Sequence, residues 1–171
     1  MTRNTLATIP LLLALGFTAA CGGSSETSTA LTDDRAKTNA VALVPGSTVD
    51  TVVREAKAGE PALVVVKLKL SNGAVLEVEY VAADGSLFEV KSDTAPFEGY
   101  DFTPRAGALK YAQAKAKALE AKAGAVEVWE FAATKSIWEF YVRDSAMHLW
   151  EIKMGASDGK IVSVVEKVKA D

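Results

Sequence analysis

Between Leu63 and Val168 apolar and polar residues alternate with a period of two, interrupted by turn signals. Leu63 to Leu70 puts Val64, Val66, Leu68 and Leu70 on one face and Lys67 and Lys69 on the other. Asn72-Gly73 is a hairpin signal. Val75 to Val81 then turns Leu76, Val78 and Tyr80 inward and Glu77 and Glu79 outward. Asp84-Gly85 leads into Leu87 to Lys91, with Phe88 and Val90 inward. Further on, Ile137 to Arg143 hides Trp138, Phe140 and Val142, and Met147 to Met154 hides Trp150, Ile152 and Met154. Asp158-Gly159 opens a last strand, Lys160 to Val168. In Val126 to Phe131, Trp129 and Phe131 break the simple alternation, which suggests a bulge. Patterning of this kind predicts antiparallel sheet covered on one face.

Two segments carry a helical period instead. Ser47 can cap Thr48 to Ala58, with Val49, Val52, Val53 and Ala56 on one side. Ala106 to Ala123 is rich in Ala, Lys, Leu and Glu, with Leu109, Ala112, Ala116 and Leu119 as its apolar side and Gly124 placed to end it. Displacing the chain by 62 positions lays Val64-Val65-Val66 on Val126-Glu127-Val128, and Val75-Leu76-Glu77-Val78 on Ile137-Trp138-Glu139-Phe140. The same displacement lays Leu87 to Lys91 on Leu149 to Lys153. Three segments in one register indicate an internal repeat. The expected class is α+β: two tandem units, residues 41–103 and 104–171, each one helix packed on a three- or four-stranded antiparallel sheet. Thr94 to Pro104 reads as the linker, with a short strand near Phe97 to Phe102; Pro96 and Pro104 argue against a central strand there.

The first 20 residues have a positive start at Arg3, an apolar run from Ile9 to Phe17 too short to span a bilayer, and small residues Thr18-Ala19-Ala20 before Cys21. That is a secretory signal. Ending on the chain's single cysteine, it resembles the bacterial lipoprotein signal, although Thr18 stands where that family usually has Leu. The resemblance implies cleavage before Cys21 and lipid on its sulfur and new amino group. Gly22, rather than Asp, implies an outer-membrane anchor facing the periplasm. Residues 21–40 are polar and small, and read as a flexible tether.

Net charge is −3, with lysines and glutamates interspersed and no basic stripe, so nucleic acid is not an expected partner. One histidine and one cysteine leave no zinc site, no internal disulfide and no expected cofactor.

The second unit carries a family resemblance. An alanine-rich helix is followed by Gly124-Ala125-Val126-Glu127-Val128, then the aromatic strand Ile137 to Val142, then Ser157-Asp158-Gly159-Lys160 and an apolar strand. This order resembles the PepSY domain; the first unit lacks the closing Asp-Gly strand. The resemblance implies binding or inhibition of other envelope proteins, without catalytic residues. The tandem arrangement is also similar to secreted β-lactamase inhibitors built from two helix-plus-sheet repeats. Small outer-membrane assembly lipoproteins provide a further comparison, because they too set helices on a short sheet.

The remaining candidates are weighed by strand parity. Glu77, Glu79, Glu139 and Glu151 face outward, where Lys67, Lys69, Lys91 and Lys153 make cross-strand ion pairs a better reading than acid–base chemistry. His148 falls on the side of Trp150 and reads as structural, at a core margin, with no nucleophile motif of the Gly-x-Ser-x-Gly kind in the chain. Trp138 and Trp150 read as core. Trp129 and Tyr141 are the candidate contact surface. The chain is therefore expected not to be an enzyme. It reads as an envelope binding protein held to the membrane through Cys21, an inhibitor or regulator of a peptidase or other hydrolase. The alternative is a structural or assembly lipoprotein of the outer membrane.

Overall fold

The computed structural model describes residues 30–92, 97 and 100–170. Helix α1 (Asp33–Leu43) precedes β1 (Thr48–Glu55), β2 (Leu63–Lys69), β3 (Val75–Val81) and β4 (Leu87–Ser92). Helix α2 (Tyr111–Ala121) precedes β5 (Ala125–Ala132), β6 (Ile137–Arg143), β7 (Leu149–Gly155) and β8 (Ile161–Lys167). The strands form one antiparallel sheet in the order β1 to β8. This overturns the expectation of two tandem units with separate sheets. Strand β4 pairs with β5 through Val90–Phe131, Lys91–Glu130 and Ser92–Trp129, so the sheet runs unbroken. Both strands would otherwise leave apolar edges with unpaired backbone groups.

The expected helix at Thr48 to Ala58 is also corrected: Thr48–Glu55 is strand β1. Five of its eight residues are β-branched, which favours extended backbone. A bulge between Val49 and Thr51 explains the misleading period, because it places Val49 opposite Leu68 and Val52 opposite Val66, both on the core side. The first helix lies instead within the expected tether, crossing its boundary at residue 40. Thr32 caps it by accepting from the Arg35 N–H at 3.3 Å, and Asp33 and Asp34 complement the helix dipole. Only Ala36 and Ala40 bury against the sheet, with Leu31 and Val44 sealing the ends. A mostly polar segment therefore folds through a few small contacts, to which the partly buried Val41 and Leu43 add. Arg54 on β1 ties it down, donating to Asp33 at 3.0 Å and to the Leu31 carbonyl at 2.7 Å.

A repeated set of backbone contacts joins each helix to the sheet. The Leu31 N–H donates to the Ala82 carbonyl at 2.8 Å, and the Leu109 N–H to that of Ala156 at 2.7 Å. Each carbonyl follows a strand that turns on Asp-Gly, Asp84-Gly85 and Asp158-Gly159, 74 positions apart, with both glycines at positive φ. The contacts thus align β3 with β7, whereas a displacement of 62 aligns β3 with β6. The two differ by one strand and its turn, and neighbouring antiparallel strands of similar length look alike to such a comparison.

Both helices and the connection before α2 cover one side of the sheet. Phe97, Phe102, Tyr111, Trp129, Phe131, Trp138 and Phe140 form an aromatic core there, with Tyr111 and Trp129 4.8 Å apart. Phe97 and Phe102 belong to this core rather than to a strand. The buried side of α2 is Tyr111, Ala114 and Ala118, and Ala112 and Ala116 face out. Alanines on every side gave no phase; the Tyr111 ring sets it. Gly124 does not act as the helix stop. A Cβ there would press on the Arg143 carbonyl oxygen and sit 2.8 Å from Val142, so glycine lets β5 start close against β6.

Candidate functional site

Among the described residues, no helix lies on the other side of the sheet. There one cross-strand row runs through all eight strands: Thr51, Lys67, Glu77, Lys91, Glu130, Glu139, Lys153 and Ser163. A flanking row contributes Glu79 and Glu89, directly opposite each other, and another contributes Tyr141 and Glu151. The lysines bridge the carboxylates. Lys67 meets Glu77 at 2.7 Å; Lys91 meets Glu79 at 2.7 Å and Glu89 at 3.2 Å. Lys153 meets Glu139 at 2.9 Å and Glu151 at 3.4 Å, and Lys167 meets Glu151 at 3.0 Å. Lys69 makes no such pair among the described residues.

These groups are less exposed than strand parity alone suggests. Glu79, Glu139 and Glu151 are buried, as are Val65, Tyr141 and Leu149 on the same side. Lysine and glutamate stems lie over apolar neighbours while their heads meet above them. Tyr141, one of the two candidate contact residues, is on this side but only 2% exposed. Its hydroxyl donates to Glu139 at 2.7 Å and Glu151 at 3.3 Å. Trp129, the other, is 1% exposed and sits in the aromatic core. The bulge between Val126 and Val128 resets the parity of β5 and turns the ring beneath α2.

The sign alternation of the long row fails at one step, where Glu130 opposes Glu139. Glu130 is half-buried and has no hydrogen bond or ion pair among the described residues. Burial, then the charges of Glu89 and Glu139, push its carboxyl up to about 7. Burial also raises Glu89. Burial pulls the Lys91 ammonium down, but hydrogen bonds and charge from Glu79 and Glu89 outweigh it and hold Lys91 above the usual lysine range. The arrangement can accept a cation, and it can release a proton near neutral pH. Among the described residues no group of three or more His, Cys, Asp or Glu is placed to hold a metal ion.

Glu89 and Glu130 were not singled out by the sequence. Hairpin register makes Glu139 and Lys153 neighbours, but the β4–β5 pairing joins strands separated by a helix. His148 is corrected from a core margin to the exposed end of the β6–β7 hairpin, 3.8 Å from Asp144. Met147, in the left-handed conformation, closes that hairpin before β7 begins. Trp150 is half-buried rather than core: its indole donates to Asp144 at 2.8 Å, and Lys122 lies 3.3 Å over its ring. Cys21 lies outside the described residues. No helix among the described residues is long and apolar enough to cross a membrane.

No protein-family model and no curated protein matches the chain. A solved structure from Clostridium difficile 630, described provisionally as a lipoprotein, is similar at 13% identity and a TM-score of 0.36. The match covers 84% of this chain and 97% of that one. A score so low carries neither fold nor function across.

Proposed function

We propose that the chain is an exported, lipid-anchored envelope protein that binds another envelope or secreted protein through the open side of its sheet. The partner class is a peptidase or other hydrolase, which the chain inhibits or regulates. The carrying observation is the unbroken row from Thr51 to Ser163, an ordered charged surface opposite a side closed by helices. Strands about 4.8 Å apart and about 23 Å long give this side roughly 800 Å², one partner's share of a standard interface. Export and anchoring rest on residues 1–21, and the outer-membrane location on Gly22. The PepSY-like order of elements after Gly124 supports a binding role without catalysis.

Photo-crosslinking residues placed at Lys67 and Ser163, and on the helix side at Lys37 and Lys115, test the reading in living cells. An adduct from the first pair alone is expected, and purified chain should then lower the activity of the trapped hydrolase. Adducts from the helix side alone, or none, would overturn it. A second reading, a structural or assembly lipoprotein, is favoured by β8. That edge strand leaves Ile161, Val162, Val164 and Val165 37–65% exposed, where natural edges usually carry charge. A crosslinker at Val164 that traps an outer-membrane barrel protein, with none trapped from Lys67, would select it.

A further inference from the structure

We infer that the partner inserts an arginine side chain into the middle of the open side, between Glu89 of β4, Glu130 of β5 and Glu139 of β6. This rests on the open-side reading above and names the chemistry that reading leaves open. Charge complementarity along the uncovered sheet selects this group. Every step of the long row from Lys67 to Lys153 sets a cation against an anion, except Glu130 against Glu139. Like charges directly opposite in a sheet destabilise it. The flanking lysines do not repair the fault. Lys91 is bonded toward Glu79 and Glu89, and Lys153 toward Glu139 and Glu151. Lys91 and Lys135 reach Glu130 only through space. One positive group from outside completes the alternation. A guanidinium suits it better than an ammonium, because its planar fork can bond two carboxylates at once and it is more weakly hydrated. The gap lies at the centre of the eight-stranded sheet, where an interface excludes water most fully and a buried arginine contributes most.

The test titrates the purified full chain with the peptide acetyl-Gly-Arg-Gly-Arg-Gly-amide and follows backbone amide shifts by NMR. Shifts confined to β4, β5 and β6 are expected. Binding should weaken about tenfold when citrulline, the neutral isostere, replaces arginine, and about tenfold in Glu130→Gln. Between about pH 8 and about pH 6 the wild type should lose about tenfold as Glu130 takes up a proton, and Glu130→Gln should show no such loss. The other titratable groups facing the gap are Glu89 and Lys91 from β4, Glu139 from β6, Lys153 from β7 and Lys135 from the β5–β6 turn. Glu89→Gln is therefore the control, and it should keep most of the pH response. Equal binding of the citrulline peptide, unchanged binding by Glu130→Gln, or shifts on the helices would overturn the inference. Crosslinks from Lys67 and Ser163 that survive Glu130→Gln, together with a peptide that does not bind, would remove the arginine and leave the open side as the binding surface. Absence of those crosslinks removes the surface itself.

Discussion

Glu130→Gln should make the protein more stable, and the gain should grow with pH. The Glu130 carboxyl rises from 4.5 to about 7 on folding, through burial first and then Glu89 and Glu139. The folded state therefore holds this proton more tightly than the unfolded chain. Its stabilising contribution is full below the unfolded value of 4.5 and is lost as pH climbs through about 7. A shift of this size corresponds to about 3 kcal/mol if fully expressed. The side chain is only half-buried, so water screening reduces the expected figure to about 1–2 kcal/mol. For a chain of this length that is about 3–6 °C in Tm. Glutamine keeps the shape and abolishes the charge. Urea unfolding should give nearly coincident curves for wild type and variant at about pH 5 and a gap of about 1–2 kcal/mol in favour of the variant at about pH 8. A gap of equal size at both pH values would show that charge is not the cause. A variant less stable at the higher pH would show that Glu130 has a cationic partner after all.

Other residues give sharper structural tests. Tyr111→Ala removes the ring that Phe97, Phe102, Trp129 and Trp138 surround, and should cost about 3–5 kcal/mol in chemical denaturation. Gly124→Ala should lose about 1–3 kcal/mol, because the new methyl meets backbone at Arg143 and cannot be relieved by a rotamer change. Tyr141→Phe removes the hydroxyl that Glu139 and Glu151 share and should cost about 1–2 kcal/mol in chemical denaturation. Cys21→Ala should abolish palmitate labelling and release the chain from membranes; equal labelling of both forms would refute the anchor.

Strand content was legible because period-two alternation is imposed by burial on one side. Strands β3 and β6 have the bounds that the alternation predicts, and Trp138, Phe140 and Val142 face the core. Where alternation was broken by an extra residue, the reading went astray. The Val49–Thr51 bulge gave β1 a helix-like spacing, and the Val126–Val128 bulge hid the inward direction of Trp129. Helix α1 was invisible for another reason. It buries two alanines and takes its anchorage from Arg54 and from its flanking residues Leu31 and Val44, so its own pattern carries almost no apolar signal.

The open side was half legible for a related reason. Lys67 with Glu77, and Glu139 with Lys153, belong to hairpins, whose register is fixed by Asn72-Gly73 and by the short β6–β7 turn. The meeting of Glu130 with Glu89 and Lys91 is different. It depends on β5 returning to β4 after the whole of α2 has crossed the sheet, and no local turn sets that register. What sets it is the aromatic core on the opposite side: Ser92 and Val90 on β4 must face Trp129 and Phe131 on β5. Packing beneath the sheet thus decides which charges meet above it. A fold that minimised electrostatic cost alone would not set Glu130 directly opposite Glu139. This one keeps Trp129 beneath α2 and leaves Glu130 facing Glu139, a charge fault that the uptake of a proton relieves.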